Sequence, residues 1–207
     1  MFGVMGKPVM QGSLHSADQR VVLYQKHDQR FFVLPQDADT RQAAAFQRAL
    51  QTGRAQPKQL HPAFGLAPGL GPLDVHDLRY MPEADLRALM CRGADRVVDI
   101  SEKAAVMCLD IAWKGYRAQE YKLPADGGDV RALTRAALAI EVAKAVHDYI
   151  KSNTHRVLLA RDPGAFTVDW DILTKIRVLE IYNVYTNHWM VRLVMLEADV
   201  QARTAAN

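Results

Sequence analysis

Histidine, cysteine and carboxylate side chains hold metals, move protons and attack carbonyls, so their spacing is read first. The chain carries His15, His27, His61, His76, His147, His155 and His188, and only two cysteines, Cys91 and Cys108. No two histidines have the four-residue spacing that sets a pair on one helix face. No cysteine pair lies close enough to complete a zinc set. The expectation is a chain without metal or cofactor. His76, between Asp74 and Asp77, is the nearest local cluster and reads as a polar loop ahead of a helix. His147 falls on an apolar helical face, where a histidine is more often a satisfied core residue than a base.

Nucleophiles are equally sparse. No Ser or Cys stands in a glycine-framed elbow. Cys91 precedes Arg92, and a neighbouring cation lowers a thiol pKa, but Leu89 and Met90 beside it suggest a core thiol. Asp99 and Ser101 lie where a strand would end and a helix begin, a common place for functional groups in α/β sheets. Ser101 is also accounted for as a helix cap. An enzyme on this chain would draw on scattered residues such as Asp99, Ser101, His147 and Cys91.

Two features suit binding. Between Asp39 and Asp74 there is no acidic residue, while Arg41, Arg48, Arg54 and Lys58 stand there with His61. Such a window can meet phosphates or an acidic protein face, or be a solvated helix face. Tyr182, Tyr185, His188 and Trp189, with Asn183 and Asn187 among them, concentrate aromatic and amide groups at an expected hairpin tip. Tyr and Trp offer large contact area at low entropic cost. By contrast, Gly65 to Pro72 is glycine-rich without being a phosphate loop. Pro68 and Pro72 remove amide donors, and the strand-then-helix context that aims amides at a phosphate is missing.

The elements that must position these groups read as α+β. Arg20–Tyr24 and Arg30–Leu34 are β-rich runs around a polar turn, with Pro8–Leu14 as a further strand candidate. Asp39 and Thr40 can cap a helix to about Thr52, with Ala43, Phe46 and Leu50 on one face and Arg41 and Arg48 on another. Residues 56–73, rich in Pro and Gly, form a loop or linker. Pro82 opens a helix with Leu86, Leu89 and Met90 on its apolar face and Gly93 as its stop. Arg96–Ile100 is a short strand. Ser101 caps a second helix to about Tyr116, burying Cys108, Leu109, Ala112 and Trp113. Asp129 opens a long central helix over roughly 130–151. Beyond it the expectation is a four-stranded antiparallel meander: His155–Ala160, Phe166–Ile172, Ile176–Tyr185 and Trp189–Leu196. A helix over 171–197 is the alternative. The units are then a small basic segment 1–55, the loop 56–73, a main domain 74–200 and a fraying tail 201–207, or one compact domain.

Composition sets the class. The chain has 207 residues, 49% hydrophobic and 24% charged, which excludes a disordered tail, a collagen repeat or a disulfide miniprotein. No stretch nears the roughly 20 apolar residues of a membrane span. Met1 to Pro8 lacks the order of a signal peptide, and two cysteines make no disulfide framework. A cytoplasmic, bacterial protein is expected, and Ala and Arg usage agrees with a GC-rich genome. The net charge of +3 hides an uneven chain, with eight Lys or Arg against four Asp in residues 1–60. The favoured function is non-enzymatic binding or regulation through a protein partner. Nucleic-acid binding through residues 41–58 and a dispersed enzyme site are the alternatives. Homo-oligomerisation is compatible with any of them.

Overall fold

A computed structural model describes residues 23–26, 29–34, 36, 72–90, 93–96, 105–154, 167–185 and 188–205. It is a mixed helix-and-strand fold. In chain order the elements are β1 (Leu23–Lys26), β2 (Gln29–Val33), β3 (Leu73–Asp74), α1 (Val75–Tyr80), α2 (Glu83–Leu89), β4 (Met107–Ile111) and β5 (Gln119–Leu123). These are followed by α3 (Arg135–Asn153), β6 (Ile176–Tyr185), β7 (His188–Leu196) and α4 (Glu197–Ala205). The helix expected over 39–52, the strand expected at 155–160 and most of 56–73 lie outside the described residues.

The strands form one sheet around β7. One edge of β7 pairs antiparallel with β6. Its other edge is shared. The first residues, His188 to Met190, run parallel to β4, while Val194 to Leu196 pair antiparallel with β2. β5 adds to β4, β1 to β2, and β3 to β6, all antiparallel. The sheet is therefore mixed; of the expected antiparallel meander, the pairing of β6 with β7 stands and the strand through Trp170 and Ile172 does not. β6 and β7 are strands, which also removes the helical alternative for 171–197. Phe166 and residues 155–160 lie outside the described set. Trp170 to Ile172, expected in a strand, instead open a 3-10 turn, Trp170–Thr174. Asp169 causes the change, because its Oδ1 accepts from the Ile172 amide at 3.0 Å and caps the turn.

β4 is the second correction. The run Met107 to Trp113 has no period that separates a short buried strand from a helix segment. Pairing decides it. Met107, Leu109 and Ile111 alternate into the core, and Leu109 lies beside Trp189 of β7.

α3 is the central helix, but it starts later than Asp129. That residue caps a separate 3-10 turn, Val130–Ala132. Thr134 then caps α3, accepting from the Ala137 amide at 3.1 Å and donating to Glu83 Oε1 at 2.7 Å. Ala136, Leu138, Ala139, Val142, Ala143, Val146, Tyr149 and Ile150 are all buried. The width of that apolar surface follows from its neighbours: α3 packs on α1 and α2 and also on β4 and β5. Gly93 is needed for close approach, not as a left-handed helix stop. A Cβ there would meet the Arg87 carbonyl oxygen at 2.8 Å. Residues 201–205, expected to fray, continue α4, where Arg203 Nη1 donates to Asp169 Oδ1 at 3.1 Å. No helix among the described residues is long and apolar enough to cross a membrane.

Candidate metal centre

Successive side chains of a strand point to opposite faces of the sheet. Met107, Leu109 and Ile111 occupy the core face of β4, so Cys108 and Asp110 take the other. Cross-strand pairing extends that second face. Cys108 stands beside Lys122 of β5 and His188 of β7, and Asp110 stands beside Glu120 and Met190. A thiol, an imidazole and two carboxylates thus rise from three adjacent strands on one face, in two neighbouring rows.

Their functional atoms converge. One donor atom from each of Cys108, Glu120 and His188 lies within 4.8 Å of the other two. His188 Nδ1 donates to Asp110 Oδ2 at 3.0 Å and stands 3.9 Å from Glu120 Oε2. Asp110 is 3% exposed, one of two buried polar or charged side chains among the described residues. Glu120 is about half exposed, so the cluster runs from a buried carboxylate to solvent. Burial, and then the negative charges of Glu120 and Asp110, push the Cys108 thiol above its usual range; Lys122 pulls the other way more weakly.

These facts bear on two chemistries. A nucleophilic cysteine needs a thiol pKa lowered by positive surroundings, and Cys108 has the reverse. A cation on this face would relieve the crowding of acidic groups. Cys, His and Glu are also the donor types that zinc accepts, at about 2.0–2.3 Å. A tetrahedral set at those lengths has donors about 3.3–3.8 Å apart, so 4.8 Å leaves closure within the reach of side-chain torsions. Asp110 stands where a carboxylate would fix the ring of a metal-binding histidine.

Of the residues singled out from sequence, His188 is in this cluster. Trp189, one residue on, is 1% exposed in the core, so it is not available to a partner. Tyr182 is half-buried. Its hydroxyl donates to Met190 Sδ at 3.5 Å, and the Arg192 guanidinium lies 5.1 Å from its ring centroid. Burial raises its pKa. The side chains of Tyr185, Arg41, Arg48, Arg54, Lys58, Cys91, Asp99 and Ser101 lie outside the described residues. His147 is not with Cys108. It packs on the exposed Trp170 ring, centroids 6.0 Å apart, and burial lowers its pKa. His76 and Asp77 sit on α1 rather than in a loop, and the Asp74 carboxylate turns to Arg177 Nε at 3.0 Å.

Cys108 and Asp110 were missed because residues 101–116 read as a helix, and Glu120 because its strand, Gln119–Leu123, was not read as an element at all. In that reading Cys108 and Asp110 diverge, and the Cys108-x-Asp110 alternation carries no message. Read as a strand, that alternation is the one local signal. Comparison of the chain with protein-family models, with curated proteins and with solved structures finds no match.

Proposed function

We propose that this protein binds a divalent transition-metal ion of the zinc class through Cys108, Glu120 and His188, with Asp110 orienting the His188 ring. The supporting observation is the meeting of three different donor types within 4.8 Å on one sheet face. A mixed sulfur, nitrogen and oxygen set favours zinc or cobalt over calcium or magnesium, which prefer all-oxygen sites. The protein-partner reading loses Trp189 to the core, and the nucleic-acid reading rests on residues outside the described set, so neither has comparable support.

The test is zinc titration of the full chain against a chromophoric chelator, with Cys108→Ser and His188→Gln alongside and circular dichroism to verify folding. One zinc per chain in the parent, with at least tenfold weaker binding in both folded variants, is the expected result. Zinc uptake that is absent, or equal in parent and variants, rejects the assignment. If either variant fails to fold, Glu120→Gln on the exposed side supplies the comparison.

A further inference from the structure

Resting on the metal-binding reading, we infer that the ion's remaining coordination position is open and takes a small monodentate anion, favoured by Lys122. The three donors belong to β4, β5 and β7, which are adjacent in the sheet, and all rise from one face of it. An ion they share lies above that face, with protein donors on the sheet side. Among the described residues no fourth His, Cys, Asp or Glu joins the group. Asp110 is the nearest further carboxylate, and its Oδ2 is engaged by His188 Nδ1. Three protein ligands with one exchangeable position distinguish reactive zinc sites from closed structural ones.

The direction of the opening follows from the strand order. β5 is the outer strand on this side of the sheet among the described residues. Its Glu120 side chain is 44% exposed, whereas Asp110 on β4 is 5% exposed. The open position therefore lies toward solvent over β5. Lys122 shares that strand and face, paired across from Cys108. Its positive charge stands on the same face as the three donors, one strand over from Cys108. The Cys108 thiolate and the Glu120 and Asp110 carboxylates carry one negative charge more than a divalent ion balances, and Lys122 on the same face offsets it, so loss of the lysine disfavours an incoming anion.

The experiment uses the full chain loaded with cobalt(II), whose visible and near-ultraviolet bands report thiolate coordination and ligand exchange. Sodium azide is titrated at constant ionic strength. The expected result is a cobalt–thiolate spectrum that shifts saturably with azide. Lys122→Gln should bind azide several-fold more weakly with an unchanged starting spectrum. A cobalt–thiolate spectrum that azide does not alter means a closed site and overturns this inference while leaving metal binding intact. Equal azide binding by Lys122→Gln removes the lysine from the account. If no cobalt–thiolate spectrum forms, both readings fall together.

Discussion

Asp110 shows how much one carboxylate can settle. A charged side chain at 5% exposure is costly unless paired. Its partner is His188 Nδ1. A carboxylate accepts, so Nδ1 carries the proton and the lone pair of the singly protonated ring lies on Nε2. Asp110→Asn should therefore weaken zinc binding about 10- to 100-fold while the fold survives, as loss of such a partner does in other metal sites. A purely structural role would lower stability without changing the ring. Long-range nitrogen–proton correlations of His188 separate the two, since the variant should redistribute the tautomers. Unchanged tautomers together with unchanged zinc affinity would remove Asp110 from the site. None of this was legible in the sequence, where Asp110 and His188 are 78 residues apart. The alternation that reveals Asp110 depends on knowing that its run is a strand.

At the scale of elements, legibility followed the strength of local signals. The breadth of apolar surface on α3 marked a central helix, and β6 and β7 were readable from their β-rich composition. β4 was not readable, because a short apolar run acquires its identity only from the neighbours that pair with it. The turn at Trp170–Thr174 was lost to a capping side chain, and α4 to its docking. Arg203 ties α4 to the 3-10 turn through Asp169 Oδ1 and the Thr167 carbonyl oxygen. Burial works to raise the Asp169 pKa, but the Arg203 hydrogen bond and charge, with help from the Ile172 amide and Lys175, leave it lowered. A lowered folded value means the contribution is complete above the ordinary carboxylate range of about 4 and fades as pH falls through the folded value. The carboxylate is partly solvated, so its ion pair contributes no more than about 1 kcal/mol. Asp169→Asn should thus be less stable than the parent by up to about 1 kcal/mol at pH 7, with the gap closing below about pH 4. Urea denaturation at several pH values checks this. A gap that persists unchanged into acid would assign the effect to the turn cap instead of the ion pair.

At the scale of the whole molecule, β7 is the strand on which both the fold and the site depend. Its parallel register with β4 puts His188 beside Cys108, and its far end is held by β2. The two neighbours on that edge do not meet as strands. Gln36 spans the gap: its Nε2 donates to the Val191 carbonyl oxygen, and its Oε1 accepts from the Ala112 amide at 3.4 Å. Leu34 N donates to the Leu193 carbonyl oxygen at 2.9 Å beside it. The Gln36 side chain reinforces the antiparallel backbone bridge between Gln36 and Trp113, and together they couple residues 29–34 and 36 to the strands of the site. Gln36→Ala leaves two backbone groups short of a partner at that seam, at a cost of about 1–3 kcal/mol. Because β2 and β4 flank the same strand, the loss should reach the whole sheet. Urea unfolding followed by tryptophan fluorescence and by far-ultraviolet circular dichroism should then shift to lower midpoint in one coincident transition. The three tryptophans all lie beyond residue 110, so their transition reports strands and turns remote in sequence from the substitution. If Gln36→Ala instead changed amide exchange only at residues 29–34 and left the fluorescence midpoint in place, β2 would be a peripheral addition, and the register of β7 on β4 would stand without it.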